Sequence, residues 1–299
     1  MNKILLGVVA TALSIGLLFS NAKPDGLLHV FILNVGQGDA IFARTPQGTT
    51  FLIDGGPEKK VLTELKEVLP FWGASIDYLV STHPDRDHIE GLIAVLKRYP
   101  VRHVLFTGVY KKDYFSQEFL RLIKEKNIPV ILAREDGDIA LTDGVTFDVL
   151  FPFTPIIRQE TVTNNLGLIA KLIYGEHEIL LTADAELPEE EMLISHGVNL
   201  QADILKSGHH GSKTSSSEAF LSAINPQFVA ISVGLNNSYH HPHLSTLKRY
   251  KEHQLKILRT DLDGRIEFIF SPKEIVEIKT QSKREISAPS ERSFSSKDS

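Results

Sequence analysis

Ser81-Thr82-His83-Pro84-Asp85-Arg86-Asp87-His88 follows the apolar stretch 77–82 and precedes 89–99, whose apolar residues recur at helical spacing. The segment therefore reads as a loop at the C-terminal end of a buried strand. Four side chains able to bind a cation stand at i, i+2, i+4 and i+5. No apolar core accommodates that density, because an unpaired buried carboxylate is costly. In an extended loop His83 and Asp85 point to one side, while Asp87 and His88, at the turn into the helix, point elsewhere. That geometry suits two adjacent cations.

Further along, the same chemistry recurs. Seven of the twelve histidines fall in three short clusters. One is the pair His83 and His88. A second is Lys206-Ser207-Gly208-His209-His210-Gly211-Ser212, again after an apolar strand, with glycines that let backbone approach a ligand closely. The third is Tyr239-His240-His241-Pro242-His243. Asp184 ends the apolar run 179–183, where a carboxylate is placed equally well to bridge cations or to cap the next helix. Lys206, Ser212, Lys213 and Thr214 offer donors to phosphate oxygens, and the run Ser215–Ser217 can cap a helix or donate to an anion.

Around these clusters strands and helices alternate. Strands are predicted at 28–33, 40–44, 49–53, 77–82, 101–106, 129–133, 145–151, 168–174, 178–182, 203–206, 228–233, 256–260, 265–270 and 275–278. Helices are predicted at 58–69, 89–99, 116–126, 188–195, 216–224 and 244–253. Two similar half-sets of elements imply an α/β architecture of two packed sheets with helices outside. No linker-like stretch divides them, so residues 27–280 form one domain.

Composition removes several function classes. With 32 Lys+Arg against 37 Asp+Glu, the chain lacks the broad basic field that grips nucleic acid by charge alone. Local cations must therefore compensate the phosphates of any polyanionic substrate. The absence of Cys excludes disulfides, thiolate zinc sites and Cys nucleophiles. Near the N-terminus, Lys3 precedes an apolar run from Ile4 to Phe19 and then Ser20-Asn21-Ala22. This is the pattern of a signal peptide or an uncleaved membrane anchor over residues 1–22, with an extracytoplasmic protein behind it. Residues 281–299 are Ser-, Lys-, Arg- and Glu-rich and read as a disordered tail.

Six segments occur in a familiar order: Leu33-Asn34-Val35-Gly36-Gln37-Gly38-Asp39-Ala40, Ile53-Asp54-Gly55-Gly56, His83–His88, Thr182–Glu186, Gly208–Ser212 and His241-Pro242-His243. Together they resemble the metallo-β-lactamase-fold hydrolase domain of the ComEC/Rec2 competence proteins, over roughly Leu28 to Phe270. Asn34 stands where that group usually has Asp, and Ala183, Glu90 and His240 where it usually has Gly. Nothing resembles the group's multi-span channel, so DNA uptake does not carry over.

The resemblance implies an αββα sandwich with a dinuclear site. Its ligands would be His83, Asp85, Asp87, His88, Asp184 and His209, with Asp184 bridging. Asp54 would hold the motif loop from behind. Asp39, His210, Ser212 and His243 would support the site or meet substrate. Asp87 would orient a metal-bound hydroxide, and His241 would contact substrate or protonate the leaving group. Three carboxylates mixed with three imidazoles suit zinc or manganese. The substrate implied is a phosphodiester, DNA first, with no protein partner evident. The alternatives are a small carbonyl compound (lactam, lactone or thioester) at the same site, or a non-catalytic binding module.

Overall fold

Strands that lie between two layers must be apolar on both faces, and the central strands of this chain are. The computed structural model describes residues 24–70, 74–135, 137–154 and 166–282. The N-terminal leader expected over 1–22 and the tail expected over 281–299 lie outside them, except that Gln281 and Ser282 donate their backbone N–H groups to the Arg265 and Asp263 carbonyls. Among the described residues, no helix is long and apolar enough to cross a membrane.

The first half opens with an antiparallel meander of β1 (Leu28–Ile32), β2 (Ile41–Arg44) and β3 (Thr50–Ile53), followed by α1 (Lys60–Val68). Parallel strands β4 (Ile76–Ser81), β5 (Val101–Phe106) and β6 (Val130–Leu132) are then added through α2 (Arg86–Arg98) and α3 (Tyr114–Glu125). The second half repeats the plan. β7 (Ile139–Ala140), β8 (Val145–Phe151), β9 (Ile169–Tyr174) and β10 (His177–Leu181) run antiparallel. Then β11 (Ile204–Lys206), β12 (Phe228–Ile231) and β13 (Lys256–Arg259) run parallel, joined through α4 (Leu187–Ser195), α5 (Glu218–Ile224) and α6 (Leu244–Glu252). After α7 (Thr260–Asp263), β14 (Ile266–Phe270) and β15 (Ile275–Thr280) cross back to pair beside β1. The sheet orders are β15-β14-β1-β2-β3-β4-β5-β6 and β13-β12-β11-β10-β9-β8-β7.

Three cores account for the layering. Val30, Phe51, Phe147, Phe228 and Phe268 pack between the sheets, with the rings of Phe51 and Phe147 stacked at 5.5 Å. Leu65, Leu92, Leu96 and Phe119 bind the first helices to the outer face of one sheet. Leu193, Phe220 and Tyr250 do the same for the other. The result is the expected αββα sandwich. Each buried large apolar side chain contributes about 1.5–3 kcal/mol.

Two elements escape the sequence reading. β7 has only two residues, too few to show a period, and α7 is a single turn without an apolar stripe. A third difference matters more. Helix α2 begins at Arg86 rather than Ile89, because its polar first turn carries no apolar residue to announce it. Asp87 and His88 thus lie within the helix's first turn. The helix is also pressed onto the β3 end: a Cβ on Gly91 would stand 1.9 Å from the carbonyl oxygen of Gly55.

Candidate metal centre

Every cluster singled out in the sequence follows the C-terminal end of a strand: Asp54 after β3, His83 after β4, Asp184 after β10, His209 and His210 after β11, and His241 after β12. Crevices at such ends are where open α/β sheets place their ligands. Here the two sheets bring their crevices together on Asp184.

Asp184 is buried, and four imidazoles surround it. Its Oδ1 lies 3.3 Å from His88 Nε2 and 3.6 Å from His210 Nε2. Its Oδ2 lies 3.8 Å from both His83 Nε2 and His209 Nε2. Asp87 joins the Oδ1 side, 3.4 Å from His210 Nε2. Asp87, His88, Asp184 and His210 form one compact donor group, and Asp54, His83 and His88 another.

The second nitrogen of each ring fixes its tautomer. Asp54, with φ 57°, accepts from Thr82 N at 2.9 Å and from the Thr82 hydroxyl at 2.6 Å. Having spent its proton there, the Thr82 oxygen accepts from His83 Nδ1 at 2.9 Å. Asp54 also accepts from His88 Nδ1 at 2.8 Å, and Glu186 from His209 Nδ1 at 2.8 Å. The Ser232 carbonyl accepts from His210 Nδ1 at 3.0 Å. In the neutral ring each of the four Nε2 atoms therefore carries the lone pair, and each faces Asp184. Those of His83, His88 and His210, with Asp184 Oδ1, are buried and have no hydrogen-bond partner. Orphaned buried acceptors are rare and demand a reason. Imidazole nitrogens and carboxylate oxygens converging on one space fit a divalent cation such as zinc or manganese.

Without a cation the charges compensate one another. Burial opposes ionisation of Asp184, yet His88 and His210 hold its carboxyl well below the usual range. Burial disfavours the charged form of His210, but Asp184 and Asp39 push it up to about 10, and Asp184 and Asp54 likewise raise His88. His83, buried beside the charged His88, is lowered. Asp87 is lowered to about 2: burial is outweighed by His210 and His88. His241, lowered to about 4 by burial and by His209 and His210, stays neutral at pH 7.

The remaining residues divide clearly. His209 and His210 take left-handed φ values of 43° and 54°, strained for non-glycine residues, and this turn directs both rings inward. Ala183 and His240 also have positive φ, 45° and 57°, a backbone region that glycine enters at no steric cost. His241 approaches the centre through His209, with ring centroids 5.5 Å apart, and its buried Nδ1 has no partner. His243 caps α6, accepting from Ser245 N. Asp85 pairs with Lys111 Nζ at 2.5 Å. Asp39 joins Lys206 to His210, whose Nδ1 lies 3.3 Å away.

Lys206 is not the phosphate donor the sequence suggested. Its ammonium is fully buried, 2.6 Å from Asp39 Oδ2 and 2.9 Å from the Ser207 carbonyl. Ser212 bonds Thr214 at 2.8 Å. Ser215 and Ser216 turn inward onto the Ala185 carbonyl and Tyr250, while Ser217 caps α5. Sequence reasoning missed Glu186 and Thr82, the residues that orient His209 and His83. The Glu186-x-x-Glu189 capping box was a readable signal for the first.

The family model of the metallo-beta-lactamase superfamily matches residues 33–234. ComE operon protein 3 of Bacillus subtilis (strain 168) is 29% identical over 88% of this chain and 35% of its own length. Competence protein ComA of Neisseria gonorrhoeae is 31% identical over 83% of this chain and 33% of its own. The chain thus spans about a third of the curated relatives it matches. Among solved structures, Igni18, a metallo hydrolase from the archaeon Ignicoccus hospitalis, shares the fold with a TM-score of 0.53 at 16% identity, covering 81% of this chain and all of its own. By fold, by motif order and by the extent of the match, this chain belongs to the metallo-beta-lactamase superfamily.

Proposed function

We propose that the chain is a metal-dependent phosphodiesterase that acts on DNA through two divalent cations, zinc or manganese, held on either side of Asp184. The observation that carries this reading is the set of buried, unpartnered Nε2 lone pairs on His83, His88 and His210 around one carboxylate. Similarity to competence proteins supports the nucleic-acid substrate.

One cation would be held by His83, His209 and Asp184 Oδ2, with Asp85 bordering it. The other would be held by Asp87, His88, His210 and Asp184 Oδ1, so His210 joins the set the sequence suggested. Such cations, when bound, supply Lewis acidity and lower the pKa of water. Asp54 and Glu186 keep the imidazoles in the ligating tautomer. Asp87, ionised at neutral pH, accepts a hydrogen bond from the attacking water and orients it. His241, neutral there, contacts a non-bridging phosphate oxygen rather than supplying a proton. Residues 27–280 form the hydrolase domain, and the leader-like residues 1–22 place it outside the cytoplasm.

The test is elemental analysis of the purified full chain, followed by assays on single- and double-stranded DNA with manganese or zinc. Two equivalents of metal and His83-dependent cleavage are expected. Metal without cleavage of any phosphodiester redirects the site to a small carbonyl substrate. A chain that takes up no metal overturns the reading altogether.

A further inference from the structure

A cavity of about 440 Å³ opens beside the centre, lined by Asn34, Gly36, Gln37, Lys60, Gly234 and Asn237, with Leu235 at its edge. That size is in the range of small-ligand sites. Its position follows from three consecutive residues. Gln37 lines the cavity, and its side-chain oxygen accepts from Gly234 N at 3.1 Å. Gly38 is pressed onto Asp87, whose carbonyl oxygen would stand 2.3 Å from a Cβ placed there. Asp39 contacts His210. Two residues span at most about 7 Å of chain, so the cavity lies within a nucleotide's length of the Asp39–His210 contact.

The lining is rich in uncommitted donors. Lys60 is exposed, forms no ion pair among those of the described residues, and holds its Nζ over Gly36, 3.0 Å from where a Cβ would be. It is the first residue of α1, preceded by Lys59, and the first turn contains no acid. Cations at a helix N-terminus oppose the helix dipole, so local stability does not explain them. Gln37 spends its oxygen on Gly234, which leaves its amide NH2 for a ligand. Asn237 is committed to the loop: it donates to the carbonyls of Gly234 and His241 and accepts from His241 N. Hydrogen bonds therefore tie the cavity wall to the His241 loop.

We propose that this cavity is a subsite for the nucleotide next to the scissile phosphodiester, with its phosphate at Lys60 and its sugar or base edge on Asn34 and Gln37. The proposal rests on the phosphodiesterase reading above. The cavity is too large for a phosphate alone, and one ammonium beside the amides of Asn34 and Gln37 matches a singly charged unit carrying polar edges.

The experiment uses the metal-loaded full chain and two probes, thymidine 3′,5′-bisphosphate and thymidine 5′-monophosphate, titrated calorimetrically against wild type, Lys60→Gln and Lys60→Arg. Metal content and thermal midpoint are measured alongside. Wild type should bind the bisphosphate at least tenfold more tightly than the monophosphate. Lys60→Gln should erase that preference at unchanged metal content, and Lys60→Arg should keep most of it. Equal affinities in all three proteins, or a preference that survives in Lys60→Gln, would overturn the subsite. Lys60-dependent binding without cleavage of any DNA would uphold the subsite and defeat the phosphodiesterase. Cleavage with no Lys60 dependence would do the reverse.

Discussion

Lys206 and Asp39, 167 residues apart in the chain, meet as a fully buried ion pair at 2.6 Å. The ammonium comes from the end of β11 and the carboxylate from the loop after β1, so the pair joins the two halves directly behind His210. Burial would raise the Asp39 carboxyl, but Lys206 and His210 hold it well below its ordinary range. Removing one partner strands the other. Lys206→Met should cost about 3–5 kcal/mol in urea unfolding. The double variant Asp39→Asn with Lys206→Met should recover part of that loss. A double variant as unstable as the single would show that the pair is not the source.

Removal of the shared carboxylate tests the centre itself. Asp184→Ala and His83→Ala should each abolish hydrolysis and lower bound metal, with the far-ultraviolet spectrum unchanged. Glu186→Ala touches no cation but frees His209 Nδ1, and should weaken metal affinity by about 10–100-fold. Full metal binding in Asp184→Ala would exclude it as the bridge.

In the metal-free chain, stability should depend on pH from two sides. His210, raised from 6.5 to about 10, contributes stability that is complete below 6.5 and lost as pH rises through about 10. His83 acts oppositely: its lowered value favours the unfolded chain as pH falls below 6.5. Urea midpoints should therefore decline on the alkaline side. Added zinc should flatten that decline, since cation and proton compete for the same Nε2 lone pair. An identical slope with and without zinc would be the contrary result.

Away from the centre, Asp148 is pushed up to about 6 by burial and by neighbouring Asp138. Its contribution is complete below 3.8 and lost as pH rises through about 6. Asp148→Asn should stabilise the chain at pH 8 by about 1 kcal/mol, after allowance for solvent screening. The gain should vanish in urea titrations below pH 4.

Gly91→Ala examines the contact between α2 and the β3 end. The added methyl meets the Gly55 carbonyl, so α2 must shift and carry His88 with it. A destabilisation of about 3 kcal/mol is expected, together with weaker metal binding. The exposed Gln117→Ala on α3 provides the comparison and should leave metal content intact.

Much of this was legible in the chain. The strand ends at Thr82, Ala183 and Lys206 could be read because apolar runs stop abruptly at polar clusters there, and those stops bring the donors together. What stayed hidden was direction. A Gly-His-His-Gly run does not say which imidazole turns inward, and the left-handed backbone at His209 and His210 turns both. Lys206 looked like a surface donor because its partner Asp39 is remote in sequence. Asp85 looked equivalent to His83, but α2 begins one residue after it and its carboxylate meets Lys111 instead.

The division of the centre between the sheets has a consequence for assembly. Asp54, His83, Asp87 and His88 come from the first half, and Asp184, His209, His210 and His241 from the second. If the chain were severed between Thr154 and Leu166, neither piece would own the pocket around Asp184, although the first would keep Asp54, His83 and His88. The first would keep two imidazoles and lack the shared carboxylate, and the second would keep the carboxylate but lack α2. The second would also carry off β14, which pairs with β1, and β15 beyond it. Cation uptake at Asp184 would thus report reunion of the pieces, an intrinsic signal of completed tertiary structure that needs no attached dye.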